Sequence, residues 1–220
     1  AKFKGESCCA WLGTDGAGHF VKTIHNSIEY ADMQMIAEIY GLLRDGLGMG
    51  AKEIGAIFDR WNEGRLNSFL IEITGKVLAT GDAKTGKPLV DVIVDRAGQK
   101  GTGKWSVIEA QTMSVPALSI EAAVAARSLS SMKAERERAE AIYRIAPSQL
   151  AISDRNAFIG ELEAALYAGK IAAYAQGFAV MEQASVEFGW KLPMPVIAKI
   201  WRAGCIIRSQ FLDRIAEAFA

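Results

Sequence analysis

The chain has 220 residues, 25 basic and 25 acidic side chains and no formal net charge, and half of it is hydrophobic. That is enough apolar material for one large core or two smaller ones. The charge balance gives no support for nucleic acid or an anionic membrane as partner, so any anion has to be gripped by local groups.

Residues 1–16 contain glycine and read as a lead-in loop, or as the last strand of something upstream. From Ala17 the pattern becomes helical and runs to Gly46 or Gly48. Gly50 or Ala51 starts a second helix through Glu63. Leu66–Ala79 reads as a third, with Phe69, Leu70, Ile73 and Val77 at helical spacing. Gly81–Pro88 is rich in turn residues. Leu89–Arg96 suits either a strand or a buried helical turn. Gly98–Gly103 is a glycine loop, and Trp105–Met113 and Ser119–Tyr143 are helical, the latter ending in the exposed charged half KAERERAE. Ser153 or Asp154 caps a long helix to about Phe188. Pro193 and Pro195 punctuate it, and a last helix runs from Val196 to the end. The longest weakly polar run, Val115–Ala126, contains Glu121 and is too short to span a bilayer. The opening Ala-Lys-Phe and the helical ending FLDRIAEAFA read as the edges of a piece of a longer chain.

Cys8, Cys9 and Cys205 have no metal-ligand spacing, and neighbouring cysteines rarely bridge each other. The expectation is three free thiols in a reducing cytosol, a cytoplasmic protein, and no metal.

The first helix carries a polar stripe. Lys22, His25, Asn26 and Glu29 fall at i, i+3, i+4 and i+7 and so share one face, with Tyr30 beside them. Phe20, Ile24, Ile28, Met35, Ile39 and Leu42 cover one flank, and Val21, Met33, Ile36, Tyr40 and Leu43 much of another. One reading is a Lys–Glu pair on a solvent-facing strip. The other is an amine, an imidazole, an amide and a carboxyl converging on a cavity, a set able to move protons and hold a polyhydroxylated substrate. Enclosure would push the lysine pKa down and the glutamate pKa up.

Gly98-Gln-Lys-Gly-Thr-Gly103-Lys104-Trp105 nearly spells a phosphate loop, which makes a P-loop nucleotide-binding module the remote rival. It fails where the residue after Lys104 must offer a hydroxyl to magnesium, because that residue is Trp105. A helical chain also lacks the alternating strands of such a fold. Gly101 and Gly103 remain places where backbone can approach a ligand, with Lys100 and Lys104 adding charge; a plain turn with solvated lysines is the alternative. Arg127, alone in a run of small residues, suits either an ion pair or bidentate phosphate capture.

An internal repeat is legible. Ile57-Phe-Asp-Arg-Trp61-Asn-Glu-Gly64-Arg-Leu66 matches Ala198-Lys-Ile200-Trp201-Arg-Ala-Gly204-Cys-Ile206 at its Trp, Gly and apolar positions. Both continue into Ser, Phe and Leu, at Ser68-Phe69-Leu70 and at Ser209-Gln210-Phe211-Leu212, an offset of about 140 residues. The expected fold class is therefore all-α, with long helices in two weakly repeated units, the second truncated.

Several stretches, in order along the chain, resemble 6-phosphogluconate dehydrogenase of the decarboxylating type. They are Gly18-His-Phe-Val-Lys22-Thr-Ile-His25-Asn26-Ser-Ile-Glu29-Tyr30, Ser68-Phe-Leu-Ile-Glu-Ile, Gly98 to Trp105, Ala126-Arg127-Ser-Leu-Ser-Ser, Tyr174-Ala-Gln-Gly-Phe178, Glu187-Phe-Gly-Trp190 and Trp201-Arg-Ala-Gly-Cys-Ile-Ile-Arg208-Ser. Ser27 stands where that family usually has Gly, a change that touches no chemical group. The resemblance implies the family's large helical domain: residues 1–16 leading in from a dinucleotide-binding Rossmann domain, 17–150 forming a first helical unit with the catalytic helix and glycine loop, and 151–220 forming the second. No G-x-G-x-x-G occurs, and the family's substrate-binding Ser-Gly-Gly loop and C-terminal tail have no counterpart here.

The implied reaction is NADP-dependent oxidative decarboxylation of 6-phosphogluconate to ribulose 5-phosphate and CO2, in the pentose phosphate pathway and gluconate utilization. By the same resemblance Lys22 is the general base at the C3 hydroxyl and Glu29 the acid that protonates C1. His25 and Asn26 contact substrate hydroxyls, Asn26 also lying near the nicotinamide, and Tyr30, Lys100 and Arg127 grip the phosphate. The resemblance further implies a homodimer, helped by the apolar Leu166–Met181 face. A non-catalytic helical dimerisation fragment of that enzyme is the alternative.

Overall fold

The computed structural model describes all 220 residues. A two-strand hairpin, β1 (Lys2–Phe3) and β2 (Glu6–Ser7), leads into ten helices. These are α1 (Ala17–Gly41), continued by a π turn at Leu42–Gly46, then α2 (Ala51–Asn62), α3 (Phe69–Ala79), α4 (Leu89–Val92) and α5 (Thr102–Thr112). After them come α6 (Leu118–Ser131), α7 (Lys133–Tyr143), α8 (Arg155–Glu187), α9 (Met194–Ile200) and α10 (Leu212–Ala218).

Two long helices organise the rest. On α1 the buried side chains Val21, Ile24, Ile28 and Ala31, then Ile36 and Ile39, recur every three or four residues. Asp154 caps α8, its carboxylate accepting from the Ala157 N–H at 3.0 Å. At 1.5 Å per residue α8 is about 50 Å long, and its buried strip runs Leu162, Leu166, Lys170, Ala173, Tyr174, Gly177 and Met181. Two cores form along this pair. One gathers the first half of α1, parts of α5 and α6, the second half of α8 and the chain beyond Leu192. The other gathers Ile36 to Leu78 with Leu162 and Leu166. Both long helices feed both cores.

The repeated segments meet. Trp61 and Trp201 are both buried at helix ends. Ser68 and Ser209, which match in sequence, pair antiparallel: the Phe69 N–H donates to the Arg208 carbonyl and the Gln210 N–H to the Asn67 carbonyl, both at 3.1 Å. Matched residues exchanging reciprocal bonds is the contact pattern of a local two-fold axis.

Several elements differ from the sequence expectation. The third helix starts at Phe69, three residues late, because Leu66 is buried in the turn and Ser68 is held against Ser209. Leu89–Arg96 is neither a strand nor buried, being one turn of helix followed by exposed Ile93 and Val94. The glycine loop is shorter, since α5 begins at Thr102. Ser119–Tyr143 is two helices broken at Met132, and α7 buries nothing, as its charges anticipate. The last helix is interrupted between Trp201 and Phe211, where the repeat segment turns with Gly204 at φ +76°. The Leu166–Met181 face is largely consumed inside the protein against α1. Exposed large apolar side chains occur instead along the stretch from α4 to α7, among them Ile93, Val94, Trp105, Leu129, Ile142 and Tyr143, and also at Trp11 and Val186.

No helix is long and apolar enough to cross a membrane. The three cysteines are free, and no group of three or more His, Cys, Asp or Glu side chains is placed to hold a metal ion.

Candidate functional site

The polar stripe of α1 is a half-open face. His25 is buried, Asn26, Glu29 and Tyr30 are half-buried, and Lys22 is exposed. The stripe is thus enclosed at His25 and open at Lys22, between the solvent-facing strip and the cavity that the sequence left open. The Lys22 ammonium donates to His25 Nδ1 at 3.1 Å, and His25 Nδ1 lies 3.2 Å from Asn26 Oδ1. These two contacts need different tautomers. A charged Lys22 requires a bare Nδ1, whereas Nδ1–H donates to Asn26. The imidazole tautomer therefore follows the protonation state of the amine.

Burial is the main reason the His25 pKa falls to about 4, with the nearby Lys22 charge adding to it and the Asn26 bond opposing. The ring is neutral at pH 7. Trp201 fixes it from the second repeat segment, ring centroids 5.4 Å apart and near-perpendicular at 80°. Burial also raises the Glu29 pKa, Asp32 pushing the same way while Lys22 and Arg127 pull it back. A carboxyl held towards its protonated form is the tuning an acid needs.

His25 makes a stability prediction. Its folded pKa lies below the ordinary 6.5, so between those values the unfolded chain binds the extra proton. Stability from this group is complete above pH 6.5 and is lost as the pH falls towards 4, a change of about 3 kcal/mol. Urea unfolding followed across that window should show the loss in the parent and a flatter profile in His25→Gln; identical profiles would refute it.

The second cluster is an arginine–tyrosine corner. Arg127, on α6, stacks over the Tyr30 ring at 4.2 Å and donates through Nη1 to the Gly98 carbonyl at 3.1 Å. It thereby ties the glycine loop to the polar stripe of α1 and has no carboxylate partner. Lys100 sits exposed on the same loop and is brought near only through that tether. Gly103 faces inward: a Cβ there would stand 2.8 Å from the Tyr30 ring and 3.0 Å from Val124, so glycine lets α5 close on α1 and is not open to a ligand. Gly101, at φ +115°, makes the turn into α5. The segment before the loop is one helical turn followed by irregular chain, so the P-loop alternative lacks its strand as well as its hydroxyl.

Three features had no sequence signal. Trp201 is legible as a repeat residue, but its contact with His25 joins positions 176 residues apart in a way no periodicity announces. Asp32 and Lys170 form a fully buried ion pair. Ser27 is buried against Ser106, whose hydroxyl also reaches the Thr23 carbonyl, so this position does carry a polar contact between α1 and α5.

Fold and site define a class: an all-helical domain offering an amine, an imidazole, an amide and a carboxyl from one face of α1, with an arginine–tyrosine corner where α6 meets that helix. Comparison with known proteins narrows it. The family model described as 6-phosphogluconate dehydrogenase, C-terminal domain, matches residues 18–220. The decarboxylating 6-phosphogluconate dehydrogenase of Schizosaccharomyces pombe is 53% identical over 214 residues, 97% of this chain and 43% of that protein. An NAD(+)-dependent decarboxylating relative from Bacillus subtilis is 48% identical, over 98% of this chain and 46% of its own length. The structure of Plasmodium falciparum 6-phosphogluconate dehydrogenase, solved as apo protein, with NADP+ and with 6-phosphogluconate, superposes with a TM-score of 0.95. It is 43% identical, over all of this chain and 47% of that one. The chain belongs to the 6-phosphogluconate dehydrogenase family and corresponds to its C-terminal helical domain. It spans less than half the length of these relatives.

Proposed function

We propose that this domain supplies the acid–base and substrate-binding half of a 6-phosphogluconate dehydrogenase that converts 6-phosphogluconate to ribulose 5-phosphate and CO2. The observation that carries the reading is the face itself, an amine and a carboxyl with a raised pKa seven residues apart on α1. Two helical turns separate them by about 10 Å, enough to bracket a bound sugar acid. Lys22 takes the C3 hydroxyl proton and, once charged, polarises the C3 carbonyl oxygen. Glu29 delivers a proton to C1. His25, neutral and held by Trp201, and Asn26 hold substrate hydroxyls. Tyr30, Arg127 and Lys100 hold the phosphate.

NADP accepts the hydride when bound. Asn26 offers a half-buried amide beside Lys22 that fits a carboxamide edge, and the 220 residues contain no phosphate-binding G-x-G-x-x-G. This chain therefore contributes one edge of a nucleotide site. Residues 17–150 act as the catalytic unit and 151–220 as the unit that walls it, with 1–16 as the lead-in. We place the reaction in the pentose phosphate pathway and gluconate utilization, in the cytoplasm.

The test is the rate of NADP reduction by a full-length dehydrogenase carrying this domain, with Arg127→Ala as the decisive variant. A phosphate grip acts in ground and transition states alike, so KM for 6-phosphogluconate should rise far more than kcat falls. An unchanged KM would make Arg127 structural. The exposed apolar side chains near α4 to α7 support a homodimer. Light scattering of the chain at tens of micromolar should give twice the monomer mass; a strict monomer refutes it.

A further inference from the structure

Lys170 and Asp32 form an ion pair shut off from solvent, in the middle of the seam between α8 and α1. Lys170 Nζ donates to Asp32 Oδ2, and Asp32 Oδ1 is buried with no partner. Around the pair the two helices pack through small residues, Ala31 on one side and Ala173 and Gly177 on the other, with Gly177 seated over Ile28. One turn along α8, the buried Tyr174 hydroxyl donates to the Ile207 carbonyl at 2.6 Å. Asp32 lies three residues beyond Glu29 on the same helix.

Stability does not account for such a pair. Removing two charges from water commonly costs more than their attraction returns, and well-packed apolar residues in their place are often neutral or stabilising. What one donor and one acceptor add is direction, since they match in a single register. A slip of one residue turns α1 by about 100° and carries Glu29 off the site face.

We propose that the Asp32–Lys170 pair is a positioning device for the acid: it fixes the rotation of α1 on α8 and so aims the Glu29 carboxyl at substrate C1. The proposal rests on the reading of Glu29 given above. It assigns to α8, which has no residue in the proposed substrate site, control over the final proton transfer.

The experiment follows exchange of the C1 proton of ribulose 5-phosphate with deuterated solvent, catalysed by the full-length dehydrogenase. That exchange reads the Glu29 step without hydride transfer. The variant is Asp32→Leu with Lys170→Met, which removes both charges at similar volume. Expected are a Tm at or above the parent's, a KM for 6-phosphogluconate close to the parent's, and exchange slowed about 10²-fold, the cost of a misplacement of roughly 1 Å. A folded double variant with parental exchange overturns the proposal. If the double variant does not fold, Lys170→Arg decides: charge is kept and head-group geometry altered, so slower exchange at parental KM supports the proposal and parental exchange overturns it. Glu29→Gln separates the two readings. If it also keeps exchange, the assignment of the acid falls with the proposal; if it alone loses exchange, only the positioning role falls.

Discussion

Lys22→Met, in a full-length dehydrogenase carrying this domain, is expected to reduce kcat by about 10²–10⁴-fold for each proton transfer it serves. On the proposed reading the same amine acts twice, first as base at the C3 hydroxyl and then as the cation at the C3 oxygen, so oxidation and decarboxylation should both suffer. Methionine keeps most of the length and none of the basicity. His25 makes the consequence specific. With no ammonium to accept from, Nδ1 is free to carry the proton and donate to Asn26, so the imidazole of the variant settles in one tautomer. Steady-state kinetics on folded protein check the first part, and the 15N shifts of the His25 ring check the second. A variant keeping more than about a tenth of parental kcat would remove Lys22 from the chemistry.

The 220-residue chain alone is expected to produce no NADPH absorbance above background when mixed with NADP and 6-phosphogluconate. Hydride transfer needs the nicotinamide held against C3, and positioning of this kind is worth about 7–11 kcal/mol of the barrier. Nothing in these residues has the phosphate-binding turn that would hold the nucleotide. The face is also open: Lys22 is exposed, and Asn26 and Glu29 are only half-buried. Water there weakens every electrostatic contact the chemistry relies on. The chain should still fold cooperatively on its two cores. Reproducible turnover that vanishes with Lys22→Met would mean that the helical domain recruits nucleotide unaided. The same assay separates the catalytic reading from a domain serving dimerisation alone, when the chain is mixed with a separately made nucleotide-binding domain.

The sequence by itself determined what is local. A period of 3.6 in the apolar residues is enough to draw α1, α2 and α8, because a helix closes its hydrogen bonds within itself. The i, i+3, i+4, i+7 spacing likewise placed Lys22, His25, Asn26 and Glu29 on one face before any packing was known. The repeat was legible too, since Trp61 and Trp201 do the same job at two helix ends. What only the tertiary structure decided depends on partners distant in the chain. Lys22 proved exposed and His25 buried, although they lie one turn apart, and the buried ring packs edge-on against Trp201 from the far end of the chain. The raised pKa of Glu29 comes from burial among α1's neighbours, with a smaller push from Asp32. Gly103 looked available to a ligand and instead receives the Tyr30 ring. Lys170, on the buried strip of α8, meets Asp32 across 138 positions. Periodicity reports which way a side chain points on its own element; the dielectric around it and the charge opposite it belong to whichever helix arrives on the other side.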